Sequence, residues 1–229
     1  MSKFEEKIRK RWERFESRGH EYTIIDNSGN YAVITNRGYK GIADSQGIIK
    51  IPPVYDDIMI YPSFNMASVT MEGLMAVIDV LTGDLLTDFK YDHLEYSPAD
   101  HSIILCKDGL KGIFSVMSKS VVHEPQFSDI NKSVSSRFSW MFSPSEGYFM
   151  EDSATGKSVY LGNDIDECFD ETHEHIFIYK NKKIAMLSEN GTEDIIGYRK
   201  LLSSLGGRIS LYNSSRHTSA IADIYGCVL

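Results

Sequence analysis

Cysteine is scarce. Cys106, Cys168 and Cys227 are the three in 229 residues, too few and too scattered for a disulfide framework, as expected in a reducing compartment. Long apolar runs are missing too. Stretches such as Met75 to Ile78 and Ile103 to Cys106 fall far short of the roughly 20 apolar residues a membrane helix needs. Charge begins at Lys3 with no apolar segment before it, so the start of the chain does not read as a secretory leader. A cytoplasmic protein is expected.

Positive charge is in short supply outside the first turns of the chain. Residues 1–18 hold seven Lys/Arg against four Glu, whereas the rest holds 17 basic and 28 acidic residues, a net of −11. A body of that sign repels phosphate backbones, which argues against nucleic acid and leaves a basic protein as the partner that charge would favour. Solubility alone accounts for the same charge equally well. With 42% hydrophobic and 24% charged residues, the chain has an ordinary globular composition and enough length to bury a core.

Catalytic signatures are also absent: no G-x-G-x-x-G, P-loop, G-x-S-x-G or H-E-x-x-H occurs. No cofactor is expected and no residue is assigned a catalytic role. Ser/His/Asp constellations assemble from distant positions, so sequence neither supports nor removes them.

What is present is a repeat. YAVITNRGYKGIADSQGIIKIPPVYDDI (31–58) returns as ASVTMEGLMAVIDVLTGDLLTDFKYDHL (67–94) and SIILCKDGLKGIFSVMSKSVVHEPQFSDI (102–130). Gly38, Gly73 and Gly109 align, as do Tyr55, Tyr91 and Phe127, with Ile58, Leu94 and Ile130 three places after each. A period near 36 residues held over three copies marks a repeat architecture. Two degraded units are expected at 140–170 and 176–201, with a C-terminal cap at 207–229.

Each copy reads as short strands. Asn36-Arg37-Gly38, Glu72-Gly73 and Asp108-Gly109 are hairpin turns, because Gly accepts the positive φ that such turns require. A third run, Ile48 to Ile51, is expected to stop at Pro52-Pro53, and the Tyr-x-x-Ile element to anchor the next unit. Residues 1–19 differ. Phe4, Ile8, Trp12 and Phe15 recur at helical spacing behind a Ser2-x-x-Glu5 capping box, and Gly19 sits at the stop position. The expected fold is therefore all-β: 20–229 as tandem repeats of about three antiparallel strands, an open or partly closed array, with an amphipathic helix at 1–19 as cap. A partner-binding or membrane-surface role for that helix is the alternative.

YKGIADSQGIIKIPPVYDDI resembles the WG-repeat family, whose units run roughly G-x-W-G-hydrophobic-x-D-x-x-G and close on P-x-Y-D-D/E-hydrophobic. Gly38, Gly41, Ile42, Asp44, Gly47, Pro52, Pro53, Tyr55, Asp56, Asp57 and Ile58 carry the likeness. Gly73, Asp79, Gly83, Tyr91, Asp92 and Leu94 keep it in the second copy; Gly109, Gly112, Phe127, Asp129 and Ile130 keep it in the third. The family's Trp is replaced by Lys40, Met75 and Lys111. The resemblance implies a bacterial β-rich repeat protein of a family with no common enzymatic activity, and it supplies no catalytic residues.

The Tyr-Asp-Asp carboxylates recur with the unit, so they are expected to hold turns rather than to form a site. One segment, NDIDECFDETHEHIF (163–177), breaks the pattern. It crowds Asp164, Asp166, Glu167, Asp170, Glu171 and Glu174 beside Cys168, His173 and His175. A calcium loop fails, since Cys168 and Phe169 fall where an oxygen ligand and a glycine are needed. Zinc ligation by Cys168, His173 and His175 matches no standard spacing, so no metal is expected. The expected form is a solvated acidic loop, and its six carboxylates are the expected partner-binding residues. The leading functional expectation is a non-enzymatic protein-binding repeat protein, of the immunity or antitoxin kind, neutralising a basic partner. A glycan- or small-ligand-binding module using Tyr61, Phe64, Tyr96, Trp140, Phe142, Tyr148 and Phe149 is the second reading. A hydrolase-like enzyme with its site in 135–180 is the third.

Overall fold

The computed structural model describes residues 2–97, 101–131, 138–152, 157–163, 165–172, 175–180, 183–188, 191–194, 200–205, 208–213 and 218–223; from residue 166 onward the description is of strand course and pairing. The capping box forms as expected. The Glu5 amide donates to the Ser2 hydroxyl at 3.1 Å and the Ser2 amide to the Glu5 carboxylate at 2.5 Å, starting helix α1 (Lys3–Glu16). The chain leaves the helix through Gly19, at φ +76°.

After the helix, the strands among the described residues all pair antiparallel, with one 3-10 turn at Pro62–Phe64. The first sheet is β1 (Thr23–Ser28), β2 (Tyr31–Asn36), β3 (Tyr39–Asp44) and β4 (Ile49–Tyr55), paired in that order. The second is β5 (Asp57–Tyr61), β6 (Met66–Met71) and β7 (Leu74–Asp79). The third is β8 (His93–Ser97), β9 (Ser102–Lys107), β10 (Leu110–Ser115) and β11 (Ser120–Phe127). A fourth joins β12 (Asp129–Asn131), β13 (Phe138–Ser143), β14 (Gly147–Asp152) and β15 (Lys157–Gly162). The fifth is β16 (Ile165–Thr172), β17 (His175–Lys180), β18 (Lys183–Ser188) and β19 (Gly191–Asp194). The sixth is β20 (Lys200–Leu205), β21 (Arg208–Asn213) and β22 (Thr218–Asp223). The chain divides into two compact units, one of Met1–Ser97 with His101–Pro125, the other built chiefly on Gln126–Leu229.

The hairpin turns have the expected chemistry. Arg37-Gly38, Glu72-Gly73 and Asp108-Gly109 all carry positive φ at both residues, from +51° to +86°, the geometry that matches the twist of a two-residue hairpin. Strand starts keep the repeat spacing: Asp57, His93, Asp129 and Ile165 follow one another at 36 residues. So does one backbone bond. Asp56 N–H donates to Thr70 C=O, Asp92 to Cys106 and Ser128 to Phe142, at 2.8, 2.8 and 2.9 Å.

Two expectations need correction. Four sheets have four strands rather than three, because a leading strand (β1, β8, β12 or β16) joins the expected three in each, and the run beginning near Ile48 does not stop at Pro52-Pro53. β4 continues through both prolines to Tyr55, and β11 likewise passes through Pro125. Both strands lie at an edge of their sheet, where a residue lacking an N–H costs no ladder bond.

The core of the first unit falls into two clusters. One gathers Ile42, Ile51, Val54, Tyr55, Ile58, Val69, Met71 and Ile78, with Phe4, Ile8 and Trp12 of α1 packed on it. The helix thus spends its apolar stripe on the sheets, as a cap does. Lys3 and Lys7 both pair with Glu72 across this contact. The other cluster gathers Tyr61, Met66, Val77, Tyr91, Leu94, Leu105 and Phe114. The Tyr-x-x-Ile anchors are inside as expected: Tyr55, Ile58, Tyr91, Leu94 and Phe127 are buried, with Ile130 half-buried. In the second unit, Met150 and Ile165 are buried against Trp140, Tyr148, Val159 and Leu161.

Candidate functional site

The second sheet lacks a fourth strand, and the segment Leu85 to Tyr91 that runs beside β7 in its place lines a cleft. The cause is legible in one side chain. At Gly41 the fourth strand passes so close that a Cβ would sit 2.5 Å from Ile51 O and 2.6 Å from Pro53 N. Gly112 repeats this, with a Cβ 2.5 Å from His123 O and 2.7 Å from Pro125 N. The aligned residue of the second copy is Ala76, fully buried. There the fourth strand is reduced to two isolated bridges, Met75 with Tyr91 and Ile78 with Leu85. Between them Val77 N–H turns to the Thr87 hydroxyl at 2.9 Å, while Val77 C=O accepts from both Leu86 and Thr87 amides.

The resulting cleft has a volume of about 520 Å³, within the range of small-ligand sites. The start of α1, the segment Leu85 to Tyr91 and β11 line it. Phe4 and Phe89 stack at 4.9 Å, and Leu85, Leu86 and Val121 extend the apolar wall. Glu5, Asp88 and Glu124 contribute carboxylates against one ammonium, Lys90. Lys90 Nζ donates to Glu124 Oε1 at 2.8 Å and stands 5.3 Å from the centre of the Tyr91 ring. Tyr91 Oη donates to Glu124 Oε2 at 3.3 Å. The Glu124 hydrogen bond holds the Lys90 ammonium above its ordinary range, and burial pushes the Tyr91 phenol up, aided by the Glu124 charge. Tyr91 is therefore a neutral donor to Glu124, and Lys90 a charged one.

The first sheet holds a related arrangement with arginine. Arg11 lies 4.0 Å over the Tyr39 ring and donates to Asp56 Oδ1 at 3.0 Å and to Val54 C=O at 2.5 Å. An aromatic face beside a carboxylate is how this chain seats a guanidinium.

Most recurrent carboxylates serve turns, as expected. Asp56 Oδ2 accepts from Glu72 N and Asp92 Oδ2 from Asp108 N, both at 2.7 Å, so each fixes the hairpin that follows. Asp79 is buried in the next turn, accepting from the Leu81 and Thr82 amides and from Lys119 Nζ at 2.6 Å.

The acidic run expected as a loop that breaks the repeat is instead a strand that keeps it. β16 starts 36 residues after β12 and stands first in its sheet, paired with β17. Glu167 lies opposite Tyr179 and Glu171 opposite Ile176, while Asp166 and Asp170 fall at the two register shifts. Those bulges disturb the strict alternation by which a strand is recognised, and the charge density completes the disguise. Carboxylates on an end strand also discourage edge-to-edge pairing. Asp164, His173 and Glu174 lie outside the described residues. The described residues contain no group of three or more side chains able to hold a metal.

The aromatic set named for a glycan platform is not exposed. Tyr61 is buried; Phe64, Tyr96, Trp140, Phe142, Tyr148 and Phe149 are half-buried and engaged with other rings. Sequence reasoning missed the cleft. The signal was Ala76 aligned against Gly41 and Gly112, with Leu86 to Lys90 lacking the prolines of the other two copies.

These features define a mostly β protein of antiparallel sheets with one N-terminal helix. No family model matches the chain, and no curated protein matches it. Among solved structures it is similar to the computationally designed protein Ika8, at 15% identity over 91% of this chain and 73% of that one, with a TM-score of 0.34. It is similar also to PorZ, an essential surface component of the type-IX secretion system of Porphyromonas gingivalis, at 8% identity over 86% of this chain and 32% of that one, with a TM-score of 0.33. BamB from Moraxella catarrhalis is matched at 14% identity over 90% of this chain and 74% of that one, with a TM-score of 0.31. The chain thus spans about a third of PorZ. Likenesses at these scores carry no argument. No helix among the described residues is long and apolar enough to cross a membrane.

Proposed function

We propose that this is a non-enzymatic binding protein of the WG-repeat type whose partner is a basic protein, in the manner of an immunity protein or antitoxin. The observation that carries the reading is the cleft at Ala76: an apolar wall of Phe4, Leu85, Leu86, Phe89 and Val121 rimmed by three carboxylates and one lysine. Apolar contact area supplies affinity to such a site, and the surplus negative charge selects and steers a cationic partner. The −11 balance beyond residue 18 works in the same direction. Asp166, Glu167, Asp170 and Glu171 add four acidic residues on one end strand, β16.

The test is a pull-down with the whole chain from the lysate of its source, at low and then high salt, with identification of what is retained. A basic protein held in stoichiometric amount and released by salt is the expected result. Retention of no basic protein at either salt overturns the reading.

A further inference from the structure

Lys90 raises a question the repeat does not answer. Its ammonium rests against Glu124 and beside Tyr91, with side chains 34% and 58% exposed for Lys90 and Glu124. An exposed lysine–carboxylate pair contributes little, because its Coulomb attraction is screened and two flexible side chains must be ordered. The pair nonetheless occupies a place in the cleft where an aromatic ring and a carboxylate meet.

The chain itself shows what fits such a place better. At Tyr39 and Asp56 the cation is Arg11, its guanidinium 4.0 Å from the ring centre and its side chain 15% exposed. At Tyr91 and Glu124 the ammonium stands off at 5.3 Å. A planar guanidinium stacks on a ring and reaches a carboxylate with two parallel donors, whereas a strongly hydrated ammonium acts as a point charge. Tyr91 Oη also donates to Glu124 Oε2, which orients the carboxylate.

We propose that Lys90 is an internal stand-in for the partner, and that binding replaces it with an arginine side chain of the basic protein, seated between the Tyr91 ring and Glu124 while its neighbours cover the apolar wall. The inference rests on the binding function proposed above. It goes beyond that function in assigning one residue as competitor and another as acceptor. Displaced, Lys90 swings into solvent from an already half-exposed position, uncovering part of the Tyr91 ring.

The sign of one substitution tests this. A peptide alternating arginine and leucine is titrated, at low salt, into the whole chain, with its lysine and glutamate counterparts alongside. Lys90→Met is expected to strengthen arginine-peptide binding about threefold, the scale of an exposed ion pair. Glu124→Gln is expected to weaken it about tenfold, the scale of a charge-assisted bidentate contact. Lys50→Met makes the same change of net charge at a residue that does not line the cleft, where Lys50 pairs with Asp44. It is expected to leave binding unchanged, and an equal gain from Lys50→Met would reduce the effect to overall charge and overturn the inference. Weaker binding by Lys90→Met would mean that the lysine is a ligand in an anion site, and would also overturn it. Free arginine amide binding as tightly as the peptide would replace the protein partner with a small guanidine. If the arginine peptide binds wild type but Lys90→Met has no effect, the stand-in role fails and the basic-partner reading survives. If no cationic peptide binds any form, both fail. Thermal melts of each variant establish that it is folded.

Discussion

The first and third sheets carry a glycine where the second carries Ala76, and a proline where the second carries Phe89. Gly41 and Gly112 let a fourth strand pass within contact distance of the third, and in both sheets that strand runs through proline to an aromatic anchor. At Ala76 in the second sheet, the chain is joined to the third strand by two bridges and a threonine hydroxyl instead. The anchors survive the loss: Tyr91 is as fully buried as Phe127. The unit therefore has two separable parts. Hairpin and anchor set the period and hold the core, while the fourth strand is optional and its absence opens a cleft.

The largest effect that can break this comparison is Gly112→Ala. The new Cβ would meet backbone atoms of His123, Glu124 and Pro125 at 2.5 to 2.8 Å, and backbone cannot step aside as a flexible side chain does. A loss of about 3 kcal/mol is expected in chemical denaturation, at the upper end for overpacking. Should Gly112→Ala cost less than about 1 kcal/mol, close approach would not be what separates the sheets.

A second effect concerns the turn that follows the altered position. Burial alone would raise the Asp79 carboxyl, but the Lys119 ammonium and the Leu81 and Thr82 amides outweigh it, so its pKa is lowered. A carboxylate with a depressed native pKa binds its proton more readily in the unfolded chain. Its contribution is complete above the unfolded value, near 4, and is lost as pH falls through the lower native value. Asp79→Asn is expected to cost about 2 kcal/mol at pH 7, because buried amides lose a charged acceptor. It should also flatten the decline of unfolding free energy below about pH 5, measured against wild type by urea titration at each pH. An unchanged acid limb would place the acid sensitivity elsewhere.

How much of this was legible in the sequence depends on whether the informative residues repeat. Gly38, Gly73 and Gly109 recur, and each turn they marked is present with both residues at positive φ. Tyr55, Tyr91 and Phe127 recur and are buried. The capping box of Ser2 and Glu5 is a local rule with a local outcome. Single features fared worse. Pro52-Pro53 was expected to stop a strand because whether a strand lies at an edge is fixed by its neighbours, not by its own residues. β16 was mistaken for a loop because two bulges and four carboxylates mask its alternation. Ala76 was passed over because alanine is unremarkable in a strand until the strand beside it is known to touch it. No motif within Leu85 to Tyr91 announces the cleft.

The smallest effect sharpens the comparison most. Ala76→Gly removes the methyl that keeps the fourth strand away, at a backbone entropy cost of about 0.5–1 kcal/mol in a strand interior. If the methyl alone bars the ladder, the freed space lets Leu86 to Lys90 close on β7, and the new hydrogen bonds roughly offset that cost. Net stability should then change by less than about 1 kcal/mol, while amide exchange at Thr87 to Lys90 slows. Closing the ladder also removes the cleft, so binding of a basic partner should weaken although no carboxylate has been touched. Unchanged exchange with stability lowered by the full entropy cost would mean that proline is the second requirement: Pro53 and Pro125 stand where the second copy has Phe89, and Phe89 is committed to its stack with Phe4. The open edge would then be fixed by two residues, one withdrawing the strand and the other filling the space with a wall for a ligand.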